Sequence, residues 1–268
     1  MHDFEDALKL SPLDENSVRG RTTRPYANMV GPYGGIISAL LLQAVLDDER
    51  STGEPISLTV NFCGGIADGD FTITRKLERS GKYLQHWSMA LIQNESVRTT
   101  ATLVIGARNE VFSHQIAKPP AASPPDEVEK LNKGMPLPWI DSFDMRFMDG
   151  FPNFTGKLNE TLEPGTTLLW VGFEEPRPLD FQGLSAFADI FFLRNLNVRG
   201  TFPPGGTVTL TTYFHATQDE IKAQGTKMLL GTAACKRLHA NFADQQIELW
   251  GKNDVLLATG YQLGWYKE

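Results

Sequence analysis

The stretch Gly183-Leu-Ser-Ala-Phe-Ala-Asp189-Ile-Phe-Phe-Leu-Arg194 places a single carboxylate within an apolar run. In a helix, the residues one turn before and after Asp189 would all be small or apolar, so Asp189 would face the core. A buried carboxylate is unfavourable unless hydrogen-bond donors surround it or its pKa rises. The pattern therefore predicts a helix over Leu179–Leu193 that carries the start of a polar site.

Strand-like segments surround this predicted helix. The break Pro203-Pro-Gly-Gly206 ends the apolar region, and threonine and aromatic residues, which favour strands, follow it. The strands predicted for this half of the chain are Phe143–Met148, Leu168–Phe173, Thr207–Ala216, Lys227–Asn241, Gln245–Gly251 and Val255–Trp265.

The first half of the chain repeats this order of elements. Gly34 and Gly35 open the segment Ile36–Leu46, which is apolar nearly all round and predicts an enclosed helix. The two glycines allow backbone N–H groups at the helix start to approach a ligand closely. Turn-like pairs then separate four predicted strands: Ile56–Cys63, Phe71–Arg79, Tyr83–Gln93 and Val97–Ala107.

A proline-rich segment separates the two halves. The prolines cluster in Lys118–Pro125 and Met135–Pro138, a composition typical of a linker. We therefore predict an N-terminal domain at residues 1–110, a linker at 111–138 and a C-terminal domain at 139–268.

Three pairs of segments indicate an internal duplication. Leu58–Phe62 resembles Leu210–Phe214 at an offset of 152, and Val97–Gly106 aligns with Val255–Gly264 at an offset of 158. The third pair is Gly35–Ala39 and Gly183–Ala186. The same order at similar offsets is typical of a repeat. In this alignment Leu41 or Leu42 stands near the place of Asp189, and Val104 stands at the place of Gln262. We therefore expect one polar site per chain.

Composition excludes several classes of function. The chain has 268 residues, a formal net charge of −7 and 41 % hydrophobic residues. This balance suits a packed core and gives no electrostatic basis for binding nucleic acid or an anionic membrane. The N-terminus lacks a signal-peptide core, and Ile36–Leu46 is too short to span a bilayer. Because Cys63 and Cys235 are isolated, we expect a cytoplasmic protein without membrane insertion.

A helix wrapped by a curved antiparallel sheet, present twice, resembles the double hotdog, an α+β fold with a long central helix in each repeat. Over nearly the whole chain apart from the linker, the sequence resembles the type II acyl-CoA thioesterase family. The motifs that carry the resemblance are Gly34-Gly35, Ala186-Phe-Ala-Asp189, Thr207 to His215, and Leu256-Leu-Ala-Thr-Gly-Tyr-Gln262.

The resemblance implies that the chain hydrolyses acyl-CoA to a carboxylic acid and CoA without a cofactor or a metal ion. In that family an Asp on the second helix, a Ser or Thr opening the next strand and a Gln on the last strand hold the attacking water. The matching residues are Asp189, Thr207 and Gln262. Water becomes a competent nucleophile when a carboxylate accepts its proton, which is the role implied for Asp189.

The resemblance also indicates how the substrate binds. Gly34 and Gly35 would contribute backbone donors at a helix start, and Leu41, Phe187 and Phe191 would line an apolar tunnel for the acyl chain. A homo-oligomer, built as a dimer of double hotdogs, is implied as well. Five basic residues on or beside first-half strands could meet the CoA phosphates, although a solvated sheet edge is the better explanation for each of them singly: Arg75, Arg79, Lys82, Arg98 and Arg108.

Thr207 presents a difficulty. Strict alternation puts it on the face of Thr209 and Thr211, opposite the more apolar face of Leu210 and Phe214. It reaches the site only if the strand start bends or lies between the two repeats. Gln262 shares its face with small residues, which leave room for a pocket wall.

Two alternative functions remain open. A hotdog hydratase or dehydratase pairs an Asp with a His about five residues later, but that position is Arg194 here. A non-catalytic acyl-CoA-binding protein would keep the fold without turnover. The near-match Gly183-Leu-Ser-Ala-Phe187 lacks the second glycine of a serine-hydrolase elbow, and the histidines have no metal-binding spacing.

Overall fold

The computed structural model describes residues 1–109, 111–160 and 165–267. The helices within these ranges are α1 Asp3–Ala7, α2 Gly34–Leu46, α3 Phe181–Phe187, α4 Arg194–Arg199 and α5 Gln218–Gln224. The first-half strands are β1 Ser11–Asp14, β2 Ser17–Arg21, β3 Glu54–Phe62, β4 Asp70–Ser80, β5 Leu84–Gln93 and β6 Ser96–Gly106. The second-half strands are β7 Phe143–Asp149, β8 Thr166–Phe173, β9 Gly205–Phe214, β10 Leu229–Ala234, β11 Leu238–His239, β12 Phe242–Trp250 and β13 Leu256–Tyr266.

One antiparallel sheet runs through both halves. Its strand order is β1-β2-β4-β5-β6-β3-β9-β13-β12-β10-β8-β7, with β11 paired beside β12. β3 and β9 join the two halves edge to edge. The helices α2 and α3 pack against each other, and Gln182 donates a hydrogen bond of 2.6 Å to Gln43 between them. The predicted α+β double hotdog is confirmed.

The junction of β3 and β9 lies on an internal two-fold axis. Thr59 pairs with Thr211, and their hydroxyl oxygens are 3.0 Å apart. Thr211 is also the residue that the offset of 152 makes equivalent to Thr59. Because a residue can pair with its own repeat equivalent only on a two-fold axis, this pair relates the two halves as the protomers of a symmetric dimer are related.

The first central helix forms as predicted. Ten of the residues of α2 are buried, including every position from Gly35 to Leu42. A helix that is apolar on all sides requires packing on all sides, and the sheet together with α3 provides it. The buried set includes Leu41, whose side chain is inaccessible to solvent.

The prediction of a single helix over Leu179–Leu193 is wrong. α3 ends at Phe187, and the backbone N–H groups of Asp189 and Ile190 bond to carbonyls three residues earlier in a tightened turn. An extended residue, Leu193, then precedes the short α4. Residues 190–193 are apolar, so they carry no helical periodicity that could distinguish a helix from a buried irregular segment.

Two smaller predictions also need correction. The strand predicted over Lys227–Asn241 is interrupted, because the N–H groups of Lys236 and Arg237 bond to the Asp244 carboxylate instead of a strand. Val104 is not the equivalent of Gln262. Strand pairing makes Leu103 the equivalent, so the alignment at an offset of 158 is wrong by one residue, which in a strand reverses the face.

The segment that links the halves contacts the second half. Pro125 accepts a hydrogen bond of 2.7 Å from Arg146, and the indole of Trp170 donates to Ser123 at 2.9 Å. The domain limits at 110 and 138 stay a prediction. In the described ranges, every helix falls short of the length and apolarity needed to cross a membrane.

Candidate active site

Asp189 lies in the turn after α3, with 8 % of its surface exposed. The residues beside it, Ala188 and Ile190, are almost completely buried. The predicted core-facing position is therefore present, but a turn supplies it and not a helix face. Because Asp189 lies beyond the end of α3, its carboxylate can approach groups from both halves of the chain.

The first half contributes the start of α2. A β-carbon added at Gly34 would lie 2.5 Å from Oδ2 of Asp189 and 3.2 Å from the ring of Phe62. This close approach requires glycine, because any side chain at Gly34 would displace the carboxylate. The backbone N–H of the next residue, Gly35, interacts with the Asp189 carboxylate and favours its charged form. A helix start with free N–H groups is a suitable neighbour for a negative charge.

The last strand contributes Gln262, which is 2 % exposed. Its side-chain nitrogen donates to Oδ1 of Asp189 at 2.6 Å and to the hydroxyl oxygen of Thr207 at 2.7 Å. The three residues predicted from family order are therefore in direct contact. Gln262 thus links the carboxylate of Asp189 to the hydroxyl of Thr207, and a water shared by these groups stays a prediction.

A β-bulge at Val208 brings Thr207 to this face of the sheet. Thr209 pairs with Leu263 and Thr207 pairs with the adjacent Gly264, so Val208 is the extra residue. A bulge shifts the alternation by one position, and Thr207 consequently faces the same side as Gln262. The sequence indicates that Thr207 could reach the site only if the strand start bends, and this bulge is that bend.

Sequence reasoning missed a fourth polar residue, Gln245. It lies directly opposite Gln262 on β12, is 2 % exposed, and donates a hydrogen bond from its side-chain nitrogen to the side-chain oxygen of Gln262. The sequence signal was weak, since Gln245 begins a predicted strand beside an equally polar Gln246. The strand register, which brings Gln245 and Gln262 together, is not visible in either strand alone.

Burial dominates the electrostatics of the site. It raises the pKa of Asp189 from its usual value of 3.8 to about 7, although Gln262, the Gly35 N–H and Thr207 each act in the opposite direction. The Tyr33 hydroxyl donates to the carbonyl of Ala186 at 2.7 Å, and burial holds its pKa well above 10. Tyr33 is therefore neutral, whereas Asp189 changes its charge near neutral pH.

The three apolar residues predicted to line a tunnel are buried in the core. Phe187 packs at 4.9 Å from Phe173, measured between ring centroids, and the ring of Phe191 lies against Gly231 on β10. Leu41 is in the middle of α2. These positions place all three beside the helices, and their contact with an acyl chain stays a prediction.

Two of the basic residues considered for CoA phosphates are already paired. Arg75 binds Asp48 at 2.6 Å, and Arg108 binds Glu54 at 3.1 Å. The N–H of Gly183, in the first turn of α3, bonds to Asp180 at 2.7 Å. These groups therefore have structural partners in the protein.

Comparison with known proteins identifies the family. Residues 23–106 match the model of an acyl-CoA thioesterase N-terminal domain, and residues 117–266 match that of an acyl-CoA thioesterase C-terminal domain. The chain belongs to the acyl-CoA thioesterase family. The predicted resemblance is therefore confirmed. None of the curated proteins compared with the sequence matches it significantly.

Solved structures share the fold of this chain. A hotdog-fold protein of unknown function from Alicyclobacillus acidocaldarius is 36 % identical, with a TM-score of 0.93 over 100 % of this chain and 99 % of the other. The acyl-CoA thioesterase II TesB2 from Mycobacterium marinum is 18 % identical, with a TM-score of 0.76 over 98 % of each chain. A tesB protein from Mycobacterium avium subsp. paratuberculosis is 15 % identical, with a TM-score of 0.78 over 99 % of each chain.

Proposed function

We propose that this member of the family hydrolyses acyl-CoA, with Asp189 as general base. The observation that carries the proposal is the buried carboxylate with a pKa of about 7, in contact with Gln262 and adjacent to Thr207. A base with a pKa near the working pH combines a substantial ionised fraction with sufficient basicity. The same residues occur in the order that the family resemblance implies.

In the proposed reaction, a water held by Asp189 and Thr207 attacks the thioester carbonyl carbon. Its proton passes to Asp189 as the carbon–oxygen bond forms. The carbon–sulfur bond then breaks, and the CoA thiolate leaves with the electron pair, so strong acid catalysis at sulfur is not needed. Transfer of the proton from Asp189 to the departing products restores the carboxylate.

Gln262 and the start of α2 would act by positioning and by charge. Gln262 holds Asp189 and Thr207 in one arrangement, which lowers the entropy lost on reaching the transition state. The oxyanion that develops on the carbonyl needs a backbone donor, and the candidate is the N–H of Gly34 at the start of α2, since the Gly35 N–H serves the Asp189 carboxylate. The first half thus supports chemistry whose base lies in the second half.

The test is release of CoA from a panel of acyl-CoAs by the wild type and by Asp189→Asn. We expect the variant to lose about 10²- to 10⁴-fold in kcat, the usual contribution of a general base. Asp219→Asn, an exposed carboxylate on α5, is the matched control and should retain full activity. Undiminished turnover by Asp189→Asn would refute the proposed role.

Including an enoyl-CoA in the panel separates the two alternative functions, a hydratase or dehydratase and a non-catalytic acyl-CoA-binding protein. A hydratase would consume enoyl-CoA without releasing thiol, whereas a binding protein would show heat of binding in calorimetry without any turnover. No observation favours a hydratase, because Arg194 stands where that class has its His. The guanidinium of Arg194 is bonded to Thr167 at 2.7 Å and to the carbonyl of Phe192.

We also propose the dimer of double hotdogs implied by the family resemblance, together with a cytoplasmic location. Light scattering of the purified chain tests the first, with the mass of a single chain as the contrary result. Fractionation of the source cells tests the second.

A further inference from the structure

Gln262 stands at the centre of the site, and its function depends on which way its amide points. A primary amide has two N–H donors at one end and an acceptor oxygen at the other. Here both donors are used, one on Asp189 and one on Thr207. If the amide were rotated by 180°, its oxygen would face the Asp189 carboxylate, and two acceptors would then repel each other.

We propose that Gln245 is the positioning residue that holds the Gln262 amide in its productive orientation. Its side-chain nitrogen donates to the oxygen of Gln262. In this way a donor on β12 occupies the acceptor end of Gln262 and directs the donor end toward Asp189 and Thr207. This inference rests on the proposed function, and it assigns a role to a residue outside the predicted set.

The surroundings of Gln245 support a role beyond packing. Its own side-chain oxygen is buried and has no hydrogen-bond partner among the described residues. An unpaired buried acceptor is unfavourable, so a role in packing alone would be filled better by an apolar side chain. The first half has apolar residues at both of these positions. Leu103 is the equivalent of Gln262, and strand pairing places Trp87 opposite it, where the second half has Gln245.

Few groups can influence the Asp189 carboxylate apart from this chain of amides. The start of α2 contributes the Gly35 N–H and the neutral Tyr33, while β9 and β13 contribute Thr207 and Gln262. None of these four carries a charge, so a change in the Asp189 pKa would report directly on the orientation of Gln262.

The decisive variant is Gln245→Met, which removes the donor and keeps the length of the side chain. We expect kcat to fall roughly 10- to 100-fold, as is typical for partners that orient a reacting group, with KM little changed. The Asp189 pKa, followed by ¹³C NMR of its carboxyl carbon, should rise by about one unit, because Gln262 no longer donates to it consistently. Gln246→Met, next to it but exposed on the other face, is the matched control and should leave both quantities unchanged.

A second variant reverses the hydrogen bond. Gln245→Glu, when ionised, can only accept a hydrogen bond, so it should turn the Gln262 oxygen toward Asp189 and lower kcat below that of Gln245→Met. Because the introduced negative charge would itself raise the Asp189 pKa, the pKa is compared only between the wild type and Gln245→Met. Wild-type kcat and wild-type Asp189 pKa in folded Gln245→Met would overturn the proposal. Because the NMR titration does not depend on turnover, a failure of the thioesterase assignment alone would leave the pKa shift in place.

Discussion

Pro55 occupies in the first half the position that Thr207 occupies in the second. Pro55 pairs with Ile105 while Ser57 pairs with the adjacent Val104, which makes Ile56 the extra residue of a bulge equivalent to that at Val208. The bulge is thus present in both halves, but only the second presents a hydroxyl there. Proline offers neither a hydroxyl nor an N–H, so the first half lacks at this position the polar group that we propose to hold a water in the second.

The pH dependence of turnover should follow the ionisation of Asp189. Because a general base acts in its ionised form, kcat/KM is expected to rise about tenfold per pH unit below 7 and to level off above its pKa of about 7. Steady-state rates between pH 5 and 9 would test this. The residual activity of Asp189→Asn should lack this dependence on pH. A wild-type kcat/KM that is constant from pH 5 to 9 would contradict the raised pKa.

The free energy of unfolding should fall as pH rises, whereas turnover should increase. The folded-state pKa of Asp189 lies above its unfolded value of 3.8, so the unfolded chain loses its proton first, and the folded state loses stability as pH rises from about 4 to 7. The upper limit of this loss is about 4 kcal/mol, from roughly three pKa units. Asp189→Asn should remove this loss, which urea unfolding of both proteins at pH 5 and pH 8 would measure. If the free energies of unfolding of the two proteins differed by the same amount at pH 5 and at pH 8, the predicted contribution of Asp189 would be excluded.

The hydroxyl of Thr207 should matter more than its shape. Thr207→Val keeps the volume but leaves Gln262 with one unused donor, and we expect kcat to fall about 10- to 100-fold through loss of a hydrogen bond beside a charged group. Thr207→Ser should restore most of the rate. Thr209→Val, on the opposite face of β9, is the control, and an equal loss there would indicate a general effect on the strand.

Gly34 should tolerate no side chain. In Gly34→Ala the new carbon would lie 2.5 Å from the Asp189 carboxylate, so the carboxylate must move and kcat should fall by at least about tenfold. Gly206→Ala is the matched control, since a β-carbon there meets nothing within 4 Å. Comparison of kcat and melting temperature for both variants tests the idea, and a fully active Gly34→Ala would contradict it.

The periodic parts of this chain were predictable from sequence. Ile36–Leu46 and the strands have a length and a hydrophobic pattern that predict a helix or a strand from the segment alone. The same order of elements in both halves supported these predictions. Asp189 was identified because a carboxylate is conspicuous in an apolar run. The end of α3 at Phe187 was not predictable, because Ile190 to Leu193 are apolar and would be buried in a helix or in a turn.

Long-range register explains the remaining differences. A bulge such as that at Val208 depends on two strands at once, so alternation within β9 could not reveal it. The same limit applies to Gln245, whose significance comes from pairing with Gln262. The sequence alignment predicts Val104 instead of Leu103, because it defines the offset between the repeats less sharply than hydrogen-bonded strand pairing does.

The axis through Thr59 and Thr211 has a consequence for stoichiometry. Each half resembles a protomer of a dimer, but the covalent link has allowed the two to differ, with the proposed base Asp189 in one and the glycine helix start in the other. An inhibitor directed at the site should therefore reach its titration endpoint at one equivalent per chain, without cooperativity inside the chain. Because the two unlike halves belong to one polypeptide, they are always present in equal number and cannot dissociate from each other.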